Sequence, residues 1–460
     1  MRFVAALGAA ASLTISTACA GLVPNDSARS VASPNLPARS NPIRHVILVV
    51  QENRSFDNLF ATFPGADGTT TGKTSNGQTV QLKQADLSEI CDFGHSRQGF
   101  VRDYDGGKMD GFDLEGGGGQ CSGKAGTRPY QYVNPAKIKP YWDIAEQYVL
   151  ADEMFQTQGS GSFTAHQDLI AGGTSIDPFH NLVDFPSHSP WGCDAPTGTV
   201  TSLIKSPGNT FPAPAKLKVL YHQGPFPCLK YATLRDLLDA RGVSWKYYSP
   251  PVIGGSGSLW NAFDAIKAVR RGPEWQTNVT KSEKAIFKDI SNGTLPAMSW
   301  LIPDNTNSDH PGSASDTGPS WVASVVNAVG DSSYWDSTAV VVVWDDWGGF
   351  YEHVPPPFFD NWGGVGFRVP MLVVSAYAHK GTSSQGGYVS HTQYEFGSIL
   401  RFVEDIFSLG RLGTTDVRAA SIQDCFDFSQ QPRKFQNIST KYSRRYFERQ
   451  PPSYQPVDSE

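Results

Sequence analysis

Cysteine is scarce in this chain, long apolar runs are missing beyond its first twenty residues, and no block of lysine or arginine precedes the C-terminal tail. Without a later apolar run able to cross a bilayer, no stable membrane span is expected. Without a basic block, and with a formal net charge of −6, nucleic acid is not an expected partner. The 6 cysteines become an odd number if an N-terminal leader carrying one of them is removed. At least one thiol would then stay unpaired or bridge to another chain.

The N-terminal residues predict such a leader. Met1-Arg2 is followed by the mostly apolar run Phe3 to Ile15 and by Ser16-Thr17-Ala18-Cys19-Ala20. One basic residue, a short apolar region and an Ala-x-Ala site predict a signal peptide over 1–20, cut after Ala20, and a secreted or periplasmic protein. Cys19 opens the option of lipid attachment, which Ser16 disfavours because lipoprotein signals usually carry Leu there. Residues 21–42, rich in Pro, Ser, Ala and Asn, read as a linker. Residues 429–460, dominated by Arg, Lys, Gln, Ser and Pro, read as a loosely ordered polar tail. Of the remaining cysteines, nearness in sequence pairs Cys91 with Cys121 and Cys193 with Cys228, leaving Cys425 free.

Between linker and tail the pattern is that of a covered α/β sheet. Val46 to Val50 is a continuous β-branched and aliphatic run, as in a strand buried on both faces. Gln51-Glu52-Asn53-Arg54-Ser55-Phe56-Asp57 follows it directly. Oxygen ligands at the carboxyl end of a buried strand stand where open α/β sheets bind ligands, and Glu52 with Asn53 suits a hard or borderline cation. Capping of the next helix by Asn53 explains the same pattern. The strongest strand, Ala339 to Trp344, ends in Asp345-Asp346. Paired carboxylates there are costly unless a cation neutralises them, so these two are the surest metal ligands. A helix–strand unit at Thr233–Tyr248, a helix from Trp321 to Val329, a strand from Phe367 to Ser375 and a helix from Phe396 to Phe407 supply scaffold. Trp260 to Ile266 is expected to begin another helix. A Gly159-Ser160-Gly161-Ser162 turn opens a helical run and places hydroxyls at a helix N-terminus, where N–H groups and the dipole favour an anion.

QENRSFD after a buried strand, with the acid pair in a GFxxHVPPP frame at Gly349–Pro357, resembles the phosphoesterase family of bacterial phospholipases C and related acid phosphatases. The likeness runs from about Ile43 to about Leu409. It implies an alkaline phosphatase-like α/β fold, a central mostly parallel β-sheet with helices on both faces, and a catalytic domain spanning 43–428. It also implies a metal-dependent phosphoric ester hydrolase with one divalent cation held by Glu52, Asn53, Ser162, Asp345 and Asp346. Ser162 falls at the family's nucleophile and would form a phosphoseryl intermediate. His95, in Asp92-Phe93-Gly94-His95, and His310 would contact the phosphate or protonate the leaving alcohol. Asn53 and His166 would also bind phosphate. Thr164-Ala165-His166 departs from the Pro-Asn-Arg or Pro-Asn-His of many members, which leaves open a catalytically silent binding module. His391 is unassigned between the metal site and a helix cap. The implied substrate is a phosphate ester. The short tail tilts the choice towards small phosphomonoesters, whereas Trp344, Trp347, Phe350 and Tyr351 near the acid pair would suit contact with lipid.

Overall fold

Five consecutive side chains, Val46 to Val50, are each at most 1 % exposed. Burying residues of this kind contributes about 1.5–3 kcal/mol apiece as an upper bound, which sets their strand at the centre of the sheet. In a computed structural model of the chain, which describes residues 41–205, 218–252, 257, 259–382, 384 and 386–455, seven strands form that sheet. In chain order they are β1 (His45–Gln51), β2 (Val149–Ala151), β3 (Trp245–Tyr248), β4 (Met298–Leu301), β5 (Thr338–Trp344), β6 (Met371–Ser375) and β7 (Tyr388–Ser390). Their spatial order is β3-β4-β1-β5-β6-β2-β7. The first four are mutually parallel, β6 is antiparallel to β5 and to β2, and β7 is parallel to β2. Only β6 is reversed, so the sheet is mostly parallel, as expected. The predicted signal peptide, and the predicted linker up to residue 40, lie outside the described residues.

Helices cover both faces, and the register shows why. Trp300 on β4 pairs with Leu48, which pairs with Val341 on β5. Its indole N–H donates to the carbonyl of Leu169 on α2 (Ser162–Ala171), at 3.3 Å. Trp344, an odd number of positions from Val341, points to the opposite face. There its ring meets Tyr141 of α1 (Lys139–Gln147), with centroids 5.0 Å apart. Helix α2 packs against α4 (Phe396–Ile406), and α1 against α3 (Gly318–Gly330).

Three expectations change. The strand predicted over Phe367–Ser375 is two strands: Val365–Arg368 joins a small side sheet with Met154–Thr157, and Met371–Ser375 enters the central one. Pro370 lies between them and has no N–H to continue a ladder. The helix expected from Trp260 shrinks to a turn, Ala262–Ala265, capped by Asn261. Over its described residues, 429–455, the tail packs on the core: Ile438 and Phe447 are buried, and Phe447 meets Trp321 of α3. Cys91–Cys121 and Cys193–Cys228 are disulfide-bonded as predicted, and Cys425 is a buried free thiol. Among the described residues no helix is long and apolar enough to cross a membrane.

Candidate active site

The neighbouring ends of β1 and β5 carry the site. Their ladder continues past the strands, the Asp345 N–H donating to Gln51 O at 2.9 Å and the Arg54 N–H to Asp346 O at 2.9 Å. Asn53 then turns left-handed, with φ 60°, a conformation Asn tolerates better than most residues. Its backbone N–H reaches Asp345 Oδ1 at 2.9 Å. Gly348, at φ 61°, lets the loop after the acid pair approach this turn: a Cβ there would lie 2.2 Å from Asn53 O. Any side chain would displace the turn. The Gly348 N–H in turn donates to Asp346 Oδ1 at 2.8 Å.

Helix α2 brings the nucleophile candidate. Gly161 is its N-cap and Ser162 its first residue. His166, one turn on, lies on the same face. The Ser162 hydroxyl donates to Asp346 Oδ2 at 3.2 Å and lies 3.5 Å from Asn53 Oδ1. The other two hydroxyls are held elsewhere. Ser160 Oγ donates to Asp184 Oδ1 at 3.2 Å and accepts from the Asp184 N–H at 2.8 Å, and Thr164 donates to Gly161 O at 3.0 Å.

Both site histidines are fully buried. His95 Nδ1 lies 2.7 Å from Phe93 O, and its Nε2 lies 2.8 Å from Asn53 Nδ2. A carbonyl can only accept, so Nδ1 donates to Phe93 O and Nε2 faces the Asn53 amide. His166 Nε2 donates to Glu52 Oε1 at 2.9 Å and lies 3.8 Å from Asp345 Oδ2. Burial lowers its pKa to about 4, a fall that nearby Asp345 opposes, so it is uncharged at neutral pH.

Ligand atoms of Glu52, His166 and Asp345 all lie within 4.8 Å of one another. Asp345 Oδ2 is buried and has no hydrogen-bond partner. Two buried carboxylates with an uncharged imidazole make a donor set that fits a divalent cation. Glu52 and Asp345 thus stand together as expected, with Asn53, Ser162 and Asp346 hydrogen-bonded beside them. His166 faces the Glu52 and Asp345 carboxylates. His310 belongs to a loop joined to β1 through the Glu52 N–H to Ser308 O bond of 2.8 Å. Its Nδ1 bonds Pro311 O, and its ring lies 5.7 Å from that of Trp260. His391 is an exposed partner of Asp152, with Nδ1 2.8 Å from Oδ2.

Sequence reasoning missed two buried networks. In the first, Gln51 Nε2 donates to Tyr141 Oη at 2.9 Å and Tyr141 Oη to Asp309 Oδ2 at 2.6 Å, while Trp344 Nε1 donates to the same oxygen at 3.2 Å. Burial raises the Asp309 pKa to about 6. In the second, Arg368 Nη2 lies 2.7 Å from Glu352 Oε1 and 3.8 Å from Asp57 Oδ1, and His353 Nδ1 lies 2.7 Å from Asp57 Oδ2. An arginine inside the otherwise apolar Phe367–Ser375 stretch was the available signal. The aromatic residues beside the acid pair are not a lipid-facing rim. Trp344, Trp347 and Phe350 are 0 % exposed and Tyr351 5 %, because their rings pack loops onto the core.

The chain belongs to the Phosphoesterase family, whose model matches residues 43–410, and is a hydrolase of phosphoester bonds. It is 25% identical over 441 residues to the non-hemolytic phospholipase C of Burkholderia pseudomallei, covering 84% of this chain and 59% of that protein. It is 24% identical over 456 residues to phospholipase C B of Mycobacterium tuberculosis, covering 86% and 80%. Against the non-specific phospholipase C1 of Arabidopsis thaliana the identity is 25% over 441 residues, covering 85% and 72%. The chain therefore spans under two thirds of the Burkholderia relative and more of the other two. Similar solved structures include a Vibrio parahaemolyticus protein in the alkaline phosphatase superfamily, with TM-score 0.37 and 10% identity over 83% of this chain and 72% of that one. A sulfatase from Pseudoalteromonas gives TM-score 0.37 and 10% identity over 86% and 74%.

Proposed function

We propose that this chain is an exported phospholipase C that cleaves the bond between a diglyceride and its phosphorylated head group, with Ser162 as nucleophile. The observation that carries the reading is the Ser162 hydroxyl, at the start of α2, donating to Asp346 Oδ2 at 3.2 Å inside a buried carboxylate cluster. The relatives named phospholipase C favour a phospholipid over a small monoester. The two disulfides favour an oxidising compartment.

Glu52, Asp345, Asp346 and His166, with Asn53 and Ser162 beside them, would hold one divalent cation, which when bound supplies positive charge against the phosphoryl oxygens. The chain's own groups do the rest. Asp346 accepts the Ser162 proton as Ser162 Oγ attacks phosphorus. The N–H groups of the first turn of α2 and the helix dipole favour the negative charge gathered there. Asn53 holds His95 by its Nε2, which lies 3.9 Å from Asp346 Oδ2 and so stands next to the proton acceptor. The proton that Asp346 takes from Ser162 passes, by way of His95 Nε2 or of His310, to the departing diglyceride alcohol as its bond to phosphorus breaks. Water then hydrolyses the phosphoserine to release the phosphorylated head group.

Parallel assays on phosphatidylcholine vesicles and on an aryl phosphate, each with and without chelator, test this. Release of phosphocholine well above aryl phosphate turnover, lost with chelator, is expected. Faster turnover of the aryl phosphate would instead make the chain a phosphatase, and no turnover of either would make it a binding module.

A further inference from the structure

The tail lies beyond residues 43–410, which the family model matches, yet it runs over α3 and reaches the loop that carries His310. Near its end a short helix, α5 (Arg444–Arg449), is stopped by Pro451-Pro452, which cannot continue it. Two contacts seat this helix. Phe447 is buried against Trp321 of α3, with ring centroids 5.4 Å apart, and the Arg444 guanidinium lies 4.9 Å from the centre of the Phe287 ring. Gln450, the C-cap of α5, is thereby carried to a turn just after β4.

That turn, Asn305–Asn307, opens the His310 loop. Asn307 is 0 % exposed, and its side-chain amide is the joint. Its Oδ1 accepts from the Thr317 hydroxyl at 2.8 Å, while its Nδ2 donates to Asp304 Oδ1 at 2.7 Å and to Gln450 Oε1 at 3.0 Å. Both hydrogens of the amide nitrogen are thus used, one of them by the tail. The next links lead into the site. Asn307 O accepts from Gln51 Nε2 at 3.1 Å, and Ser308 O accepts the Glu52 N–H at 2.8 Å. Ser308 Oγ accepts the His310 N–H at 3.2 Å. Asp309 between them is left-handed, with φ 72°, a conformation that its surroundings must hold in place.

We propose that Gln450 is a positioning residue for the hydrolysis, fixing through Asn307 the loop that sets His310 and the Glu52 backbone. Without the Gln450 oxygen one buried Asn307 N–H loses its acceptor, which is costly, and the amide turns to find another. The His310 loop moves with it, and a small misplacement of a reacting group is expensive in rate. The role rests on the proposed hydrolysis at Ser162, whichever ester is cleaved.

The test is steady-state kinetics of Gln450→Met, Gln450→Glu and Asn327→Ala on phosphatidylcholine vesicles and on an aryl phosphate, beside hydrogen exchange of residues 304–310. Gln450→Met keeps the length of the side chain but has no oxygen. Gln450→Glu restores an acceptor, and Lys284, whose Nζ donates to Gln450 O, offsets the added charge. Asn327→Ala loosens the same tail elsewhere, because Asn327 accepts the Ile438 N–H at 2.8 Å and donates to Ile438 O at 2.9 Å. Expected with Gln450→Met is a fall in kcat of about 3–10-fold, an unchanged KM and faster exchange of 304–310. Gln450→Glu should recover kcat to within about twofold of wild type, and Asn327→Ala should lower the melting temperature with kcat unchanged. Wild-type kcat and exchange in Gln450→Met overturn the role, as does a kcat that falls equally in Asn327→Ala. Failure of the phospholipase reading shows separately, as turnover of aryl phosphate but not of lipid, and the same kcat ratios then decide on that ester.

Discussion

Two clusters of buried acids and histidine lie a few residues apart in sequence yet are neutralised in opposite ways. At the ends of β1 and β5, Glu52, Asp345 and Asp346 stand with His95 and with His166, which burial keeps uncharged, and Asp345 Oδ2 is left without a hydrogen bond. A few residues further along both segments, Asp57 and Glu352 meet His353 and the buried guanidinium of Arg368. Both sets can bring three ligand atoms within 4.8 Å. The second has its positive charge built in, and the hydrogen bonds of Asp57 are complete: Oδ1 accepts the Thr69 N–H, and Oδ2 accepts the His353 N–H and ring. Proximity of ligands thus does not distinguish a cation site from a structural ion network. The count of fixed positive charge does.

The largest expected effect falls on the first cluster. Ser162→Ala should lower kcat by roughly 10³-fold or more, as for loss of a covalent nucleophile, with the melting temperature unchanged. Ser160→Ala and Thr164→Ala, whose hydroxyls serve loop and helix, should keep turnover. A dead Ser160→Ala beside an active Ser162→Ala would reassign the nucleophile. At the second cluster the sign reverses: Arg368→Met should cost about 3–5 kcal/mol in denaturant unfolding, because Glu352 and Asp57 lose their buried counter-charge. The folded variant should retain its metal. Loss of metal with unchanged stability would mean that the two clusters had been assigned the wrong way round.

How much of this was legible differs along the same lines. Val46–Val50 and Ala339–Trp344 announced themselves because a doubly covered parallel strand needs no polar alternation. Glu52, Asn53, Asp345 and Asp346 were legible as the polar residues that end those runs. Arg368 and Asp57 were not read as partners, because an ion pair between segments some 300 residues apart leaves no local period. The packed tail escaped for a related reason: Ile438 and Phe447 are isolated apolar residues in polar sequence, and only their burial against α3 reveals them. Asp184 sits in a loop whose role depends on meeting Ser160 through tertiary contact.

A smaller effect follows from titration at the second cluster. Burial alone would lower the pKa of His353, but the hydrogen bond and charge of Asp57, with Glu352, outweigh it and hold the group up at about 9. Burial likewise pushes Glu352 up to about 7, against the pull of Arg368. A group whose pKa is raised on folding binds more protons in the folded state, so stability falls as pH rises. The His353 contribution should be complete below about 6.5 and gone above about 9, a loss of about 1–3 kcal/mol across that window. Denaturant unfolding at intervals from pH 6 to 9.5 should show this decline in wild-type protein and a flatter curve in His353→Gln. Equal slopes would place the sensitivity elsewhere.

The central claim is that the first cluster, and not the second, holds the cation. Elemental analysis of extensively dialysed protein reads it directly, comparing wild type with Asp345→Asn and Glu352→Gln. The account predicts about one divalent ion per chain in wild type and Glu352→Gln, and its loss in Asp345→Asn. Active wild-type protein free of metal, or metal that leaves with Glu352→Gln and stays with Asp345→Asn, would contradict it.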